Sequence, residues 1–210
     1  EDIGFLPDDP DNSVMVTRFL YSDDNGQTWN QLTQLETDAY YILSYSDGVE
    51  LSCYDGTGPN VDFVLPLGSL YQGGSMCARV AYSTDAGSTW KTSETKIIFG
   101  QEDADHAENG ISEANILEMD DGTLVLVARC QGSDTQTFAR SISTDHGITW
   151  QSPAEATEIY TVNTQPILYR HNGTDLLIWS GNNILGNSSY RRFPLNVATS
   201  DDQFQSVTNI

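Results

Sequence analysis

Arginine dominates the basic residues of this sequence: nine residues are basic, and only Lys91 and Lys96 are lysines. A guanidinium is always charged and can bind a carboxylate through two parallel hydrogen bonds. Arg129 ends one strand-like run and Glu113 precedes another, with the turn-forming pair Asp121-Gly122 between the two runs. Because the two residues bracket one hairpin, we expect them to lie side by side at the end opposite the turn. A pair placed in this way could recognise an acidic ligand.

The overall charge excludes several classes of partner. Thirty acidic residues against nine basic ones give a formal net charge of -21. Nucleic acids and anionic membranes bind proteins through Lys and Arg, so neither is expected to be a partner. The longest apolar runs, such as residues 123–128, are far shorter than the roughly 18 to 20 residues that cross a bilayer. No membrane span is therefore predicted.

A short motif repeats along the chain with a period near sixty. The pattern S-x-D-x-G-x-T-W ends at Trp29, Trp90 and Trp150, at spacings of 61 and 60 residues. A fourth copy, residues 200–207, keeps the Ser and Asp but loses the Gly, Thr and Trp. An alternating apolar run precedes each intact copy and predicts a strand, while the Asp and Gly suit a tight turn. The motif thus predicts one hairpin turn in every sixty residues.

A second hairpin signal, a D-G or N-G pair between two strand-like runs, recurs between the motif copies. Two hairpins per sixty residues make four antiparallel strands, which is the content of one propeller blade. No helical period persists, so we predict an all-β chain. The predicted hairpins cover residues 41–54, 114–128 and 166–179, and loops are predicted at 55–76 and 101–109.

The S-x-D-x-G-x-T-W copies resemble the Asp boxes of the sialidase (neuraminidase) superfamily, and the resemblance extends along nearly the whole chain. It implies a β-propeller of four-stranded antiparallel blades, six-bladed when complete. At about sixty residues per blade, 210 residues supply about three and a half blades. We therefore expect residues 1–210 to form a single propeller segment, with approximate blades 1–30, 31–91, 92–151 and 152–210. Missing segments or another chain would complete the ring.

Residues 112–129 are similar to the sialidase segment in which a catalytic Glu begins one strand and an Arg ends the next. This similarity implies a catalytic role for Glu113 and a substrate-binding role for Arg129. Residues 190–200 are similar to the strand that carries another arginine of the sialidase triad, a role that Arg192 fits best, with Arg191 as the alternative. In that superfamily the Asp boxes are structural, and a Glu activates a Tyr nucleophile while arginines bind the sugar carboxylate. The family's first arginine, acid Asp and nucleophilic Tyr have no match here.

The resemblance implies a secreted glycoside hydrolase of the exo-α-sialidase type, which releases a carboxylate-bearing sugar from glycans. No cofactor or metal is predicted, and the acidic residues 102–108 are interpreted as a solvated loop. One alternative is a polysaccharide lyase or other glycosidase of the same fold that acts on acidic glycans, with His106 or a tyrosine as the base. Another is a non-catalytic Asp-box propeller that binds glycans or proteins.

Overall fold

A computed structural model of the chain describes residues 16–36, 41–43, 46–52, 58–70, 76–98, 110–131, 137–160, 164–181 and 193–209. Within these ranges the regular structure consists of β-strands, without helices. The strands are β1 (Val16–Tyr21), β2 (Asn30–Glu36), β3 (Tyr41–Leu43), β4 (Val49–Glu50), β5 (Phe63–Leu70), β6 (Met76–Ser83), β7 (Lys91–Thr92), β8 (Gly110–Glu118), β9 (Leu124–Gln131), β10 (Thr137–Ser143), β11 (Ala154–Tyr160), β12 (Ile167–His171), β13 (Thr174–Ser180), β14 (Leu195–Ser200) and β15 (Thr208–Asn209).

The strands form a two-stranded sheet (β1–β2), a nine-stranded sheet (β3 to β11) and a four-stranded sheet (β12 to β15), in which nearly all pairs are antiparallel. The nine-stranded sheet consists of two antiparallel units, β3 to β7 and β8 to β11. We call β1–β2 the first sheet, these two units the second and third sheets, and β12 to β15 the fourth. One parallel bridge, between Met76 and Gly110, joins the second sheet to the third. This repeated antiparallel organisation confirms the predicted all-β class. The division of residues 1–210 into blades at the boundaries given above remains a prediction.

Apolar side chains from neighbouring sheets meet in separate cores. Strand β9 shows the pattern most clearly, because it is buried on both faces. Leu124 and Leu126 belong to the core shared with the second sheet, whereas Val125 and Val127 belong to the core shared with the fourth. A third core lies between the first two sheets, where Phe19 stacks on Trp90 with ring centroids 4.4 Å apart. The sheets are therefore stacked face to face in chain order.

The Asp boxes are hydrogen-bonded turns that follow β1, β6, β10 and β14. In the third copy, the Ser143 hydroxyl donates to Oδ1 of Asp145 at 2.8 Å, and the Thr149 hydroxyl donates to Oδ2 at 2.5 Å. The backbone N–H of Gly147 donates to the Ser143 hydroxyl at 2.9 Å. Ser143 pairs with Leu124, just after the Asp121-Gly122 turn, so the box lies at the turn end of the third sheet. The Asp carboxylate is held inside its own turn.

The same hydrogen bonds stabilise the charged form of the box aspartates. The Thr28 side chain, its backbone N–H and the Ser22 side chain lower the pKa of Asp24 to about 2. The Thr89 hydroxyl likewise lowers the pKa of Asp85. In the third and fourth copies burial raises the pKa of the carboxyl group, but the hydrogen bonds outweigh it and the pKa is lowered overall.

The prediction of a hairpin over residues 41–54 is wrong, because β3 and β4 both pair with β5 and not with each other. Leu43 pairs with Gly68 and Val49 with Val64, so the β3–β4 side has two extra residues between these pairs. The loop predicted at 55–76 is also wrong in part, since it contains β5.

The other two predicted hairpins are confirmed by the pairing of β8 with β9 and of β12 with β13. No helix in the described part of the chain is both long and apolar enough to cross a membrane.

Candidate active site

A β-bulge at the start of β8 sets the position of Glu113. Ile111 pairs with Cys130 and Ala114 pairs with Ala128, so Ser112 and Glu113 together oppose the single residue Arg129. Ile111 and Ala114 both pack into the core shared with the second sheet. The bulge therefore lets the strand keep that face buried while Glu113 lies beside the fourth sheet, where it contributes to a cavity.

Glu113 and Arg129 form an ion pair across this bulge. Nη1 of Arg129 donates to Oε2 of Glu113 at 2.9 Å. The Arg129 side chain is 12% exposed and the Glu113 side chain is 21% exposed, so the pair is largely shielded but still reachable from solvent. The pair lies at the end of the hairpin away from Asp121-Gly122, as the strand spacing predicted. Their catalytic and binding roles remain predictions.

A cavity of about 250 Å³ opens beside Glu113. Its other lining residues come from the start of β12, the end of β13 and the start of β14, and they are Thr164, Gln165, Ile167, Ile178, Trp179, Ser180 and Leu195. The Thr164 and Ser180 hydroxyls lie 3.1 Å apart. The cavity thus combines a carboxylate, hydroxyl and amide groups, and apolar walls, which is the mixture that small polar ligands with apolar faces require.

The family of the chain follows from a sequence comparison that covers nearly all of it. A family model described as "BNR repeat-like domain" matches residues 8–210. The chain belongs to this family. Among curated proteins, none matches the sequence.

Solved structures with a similar fold include sialidases. The NanB sialidase of Streptococcus pneumoniae has 20% identity and a TM-score of 0.57, with 91% of this chain and 27% of that one covered. The leech intramolecular trans-sialidase has 21% identity and a TM-score of 0.59, with 87% and 25% covered. An alpha-L-arabinanase of Penicillium chrysogenum has 20% identity and a TM-score of 0.64, with 92% and 57% covered. The BNR repeat-like chain thus spans about a quarter of the two sialidases and somewhat over half of the arabinanase.

These comparisons confirm the resemblance to the sialidase superfamily and the β-propeller fold, of which this chain is a part. At such low identity, structural likeness establishes the fold and leaves the reaction to be argued from the site. In this BNR repeat-like domain, Arg191, Arg192 and His106 lie outside the described residues. The predicted second arginine and the base of the lyase alternative therefore remain predictions.

Two other arginines of the BNR repeat-like domain serve contacts between sheets. Arg170 of β12 donates through Nε to Asp175 at 2.6 Å and through Nη1 to Asp120 of the third sheet at 2.6 Å. Arg140 of β10 donates through Nε to the backbone oxygen of Gln203 in the fourth sheet at 2.5 Å. Burial lowers the pKa of Arg140, although the nearby carboxylate of Asp202 acts in the opposite direction. Both residues hold the third and fourth sheets together.

Sequence reasoning missed the fourth-sheet side of the cavity. Oδ1 of Asn115 accepts a hydrogen bond from the backbone N–H of Leu168 at 3.3 Å, which ties β8 to β12 near Glu113. The i, i+2 spacing of Glu113 and Asn115 was a usable signal, since alternate residues of a strand share one face. No pattern in the sequence predicted that Trp179 or Ser180 would lie near Glu113, because these residues belong to different sheets.

Proposed function

We propose that this BNR repeat-like domain is part of a sialidase-like glycoside hydrolase, of the exo-α-sialidase type, which releases a carboxylate-bearing sugar from glycans. The supporting observation is the Glu113–Arg129 ion pair at 2.9 Å, in which Glu113 also lines a cavity of about 250 Å³. Partly buried charged side chains at a cavity are candidates for a substrate site, because a ligand can reach them there.

Arg129 binds the carboxylate of the sugar in this proposal. A guanidinium carries five N–H donors in a fixed plane, a geometry that suits two-point binding of a carboxylate. Partial burial strengthens its attraction for an anionic ligand, because nearby water screens the charge less. Arg192, or alternatively Arg191, would bind the same carboxylate as a second cation.

Glu113 acts as a general base in this proposal. Within the described residues, Oε2 is bonded to Arg129, and Oε1 has no hydrogen-bond partner. Oε1 can therefore accept a proton from a hydroxyl nucleophile. A neutral hydroxyl suits an anionic substrate because a carboxylate nucleophile would repel it. The Tyr nucleophile, the acid Asp and the first arginine of the family would come from other parts of the whole protein, which we propose to be secreted and to act on extracellular glycans.

The test is hydrolysis of a fluorogenic sialoside by the whole protein and its Glu113→Gln variant. General base catalysis contributes about 10²-fold to 10⁴-fold, so we expect kcat to fall by that factor. Glu118→Gln is the matched control, because Glu118 lies on the same strand but accepts hydrogen bonds from Ser52 of the second sheet. That variant should lose stability and keep kcat.

Three other results would contradict the proposal, and the last two would favour its alternatives. Turnover of the sialoside that does not depend on Glu113 would remove the catalytic assignment. Products of an acidic polysaccharide that absorb in the near ultraviolet, as unsaturated uronates do, would indicate a lyase. Glycan binding without any turnover would indicate a non-catalytic propeller.

A further inference from the structure

The side-chain amide of Asn196 binds the backbone where β13 ends and β14 begins. Its Nδ2 donates to the backbone oxygen of Gly181 at 2.8 Å and to that of Pro194 at 3.3 Å. The backbone oxygen of Trp179 lies 3.5 Å from the same nitrogen. An amide nitrogen carries two hydrogens, so the two shorter bonds can use both donors and the third contact is weak. One side chain thus joins the end of β13 to the start of β14.

The backbone at this junction is closely held. The N–H of Gly181 donates to the backbone oxygen of Pro194 at 2.9 Å, so the two residues are also joined directly. Gly181 is buried and has a φ of 147°, a conformation that residues with a side chain rarely adopt. The amide of Asn196 therefore binds a carbonyl group whose position the backbone already restricts.

The same ends of β13 and β14 form one wall of the cavity beside Glu113. Ser180 and Leu195 pair with each other across the two strands, and both line the cavity. Each is bonded in the chain to a residue whose carbonyl group accepts a hydrogen bond from Asn196. Asn196 lies outside the described lining, so it can affect a ligand through this wall without touching it.

The repeat itself does not require an amide at this position. The residue four positions before the box serine is Asn196 in the fourth sheet and Ala139 in the third. Both pair with the preceding strand of their own sheet, Asn196 with Trp179 and Ala139 with Ala128. Alanine has no hydrogen-bonding group in its side chain, yet the third sheet forms the same ladder and the same box. The amide therefore has a local task at the cavity.

From these contacts we infer that Asn196 is a positioning residue of the candidate site, which holds the wall formed by Ser180 and Leu195 in place for the bound sugar. The inference rests on the proposed function to the extent that this cavity binds the sugar. Without the amide the wall is less well fixed, and sugar binding has to supply the cost of ordering it. The roles of Glu113 and Arg129 are unchanged.

The test is steady-state hydrolysis of a fluorogenic sialoside by the whole protein and its Asn196→Ala variant. We expect KM to rise by about 2-fold to 10-fold, the equivalent of one neutral hydrogen bond, because binding must now order the wall. The value of kcat should stay close to that of the wild type, because the amide contacts no reacting group. A role in folding alone would give the opposite result, since unfolded molecules lower the apparent kcat and leave KM unchanged.

Ser141→Ala is the matched control. The buried hydroxyl of Ser141 also donates to a backbone oxygen, that of Gln151, at 2.6 Å. Ser141 pairs with Leu126 in the half of the third sheet nearer the Asp121-Gly122 turn, whereas the cavity lies at the other end. This variant should lower the melting temperature and leave KM unchanged.

Asn196→Ser replaces the alanine variant if that variant does not fold. The serine hydroxyl ends one atom short of the amide nitrogen and has a single hydrogen, so it cannot bind both carbonyl groups. KM should therefore rise in this variant as well.

Titration with N-acetylneuraminic acid separates this inference from the proposed function. Weaker binding by the Asn196 variant, with a raised KM, would support the inference. Sugar binding that depends on Arg129 but keeps its affinity and KM in the Asn196 variant would overturn the inference and leave the proposed function standing, as would a fall in kcat alone. A wild-type protein that neither binds the sugar nor hydrolyses the sialoside would overturn both.

Discussion

Phe204 holds, in the fourth Asp box, the backbone position that Gly147 holds in the third. Both have positive φ, 62° for Phe204 and 89° for Gly147. A bulky residue rarely adopts this conformation, and here it is fully buried in the core between the third and fourth sheets. The hydroxyl of Ser206 replaces that of the box Thr and donates to Asp202 at 2.7 Å. The fourth copy therefore keeps the hydrogen bonds around the box Ser and Asp and supplies its aromatic ring from a different position.

Replacement of Phe204 separates the contribution of its ring from the strain of its backbone. Phe204→Ala should lower the free energy of unfolding by about 3 to 5 kcal/mol, as for other buried phenylalanines. Phe204→Gly should be more stable than the Ala variant by about 1 kcal/mol, because only Gly adopts positive φ without a steric cost. Urea unfolding measures both values. A Gly variant less stable than the Ala variant would contradict the strain, and Phe193→Ala, at a side chain 77% exposed, is the control.

Acid should destabilise the fold through the box aspartates. The folded pKa of Asp24 is about 2, below its ordinary 3.8, so its stabilising effect is present above the ordinary value and is lost as the pH falls toward 2. The lowered pKa of Asp85 acts in the same direction. Thermal unfolding between pH 5 and pH 2 should show this loss, and Asp24→Asn should reduce it. Asp23→Asn, a change at the neighbouring exposed carboxyl group, should leave the pH dependence intact.

The Arg170 contacts predict unequal effects for its two acidic partners. The Asp175 side chain is 15% exposed and binds Nε and Nη2 of Arg170, whereas the Asp120 side chain is 93% exposed. Asp175→Asn should lower stability by about 1 to 3 kcal/mol, less than the about 3 to 5 kcal/mol for fully buried pairs. Asp120→Asn should cost below about 1 kcal/mol because water screens that pair. Equal losses in chemical denaturation would contradict this difference.

Arg129→Lys should weaken sugar binding while it keeps the positive charge. An ammonium cannot form the planar two-point contact of a guanidinium with a carboxylate. The loss of one charge-assisted hydrogen bond corresponds to a rise in KM of about 10-fold to 100-fold. Steady-state hydrolysis of a sialoside measures it. Arg140→Lys should leave KM unchanged, since Arg140 binds Gln203 at the contact between the third and fourth sheets.

Turn residues in the sequence correctly predicted those hairpins whose two strands pair directly with each other. Asp121-Gly122 and Asn172-Gly173 each lie between two strands that pair directly, so the turn residues sufficed to predict the hairpins. Asp47-Gly48 failed as a signal, because the two flanking runs both pair with β5. The common partner strand begins at Phe63, which lies beyond the reach of a local turn signal.

The sequence alone determined three features. They are the period of the Asp boxes, the alternation of apolar residues, and the placement of Glu113 and Arg129 at the hairpin end away from the turn. All three depend on spacing along one strand or across one turn. Only the tertiary structure decided that a bulge sets Glu113 against Arg129, and that Trp179 of β13 lines the cavity beside Glu113. The reason is physical: the bulge depends on how β8 and β9 pair as a whole, and the contact with Trp179 forms between stacked sheets, where side-chain packing and not local backbone preference selects the neighbours.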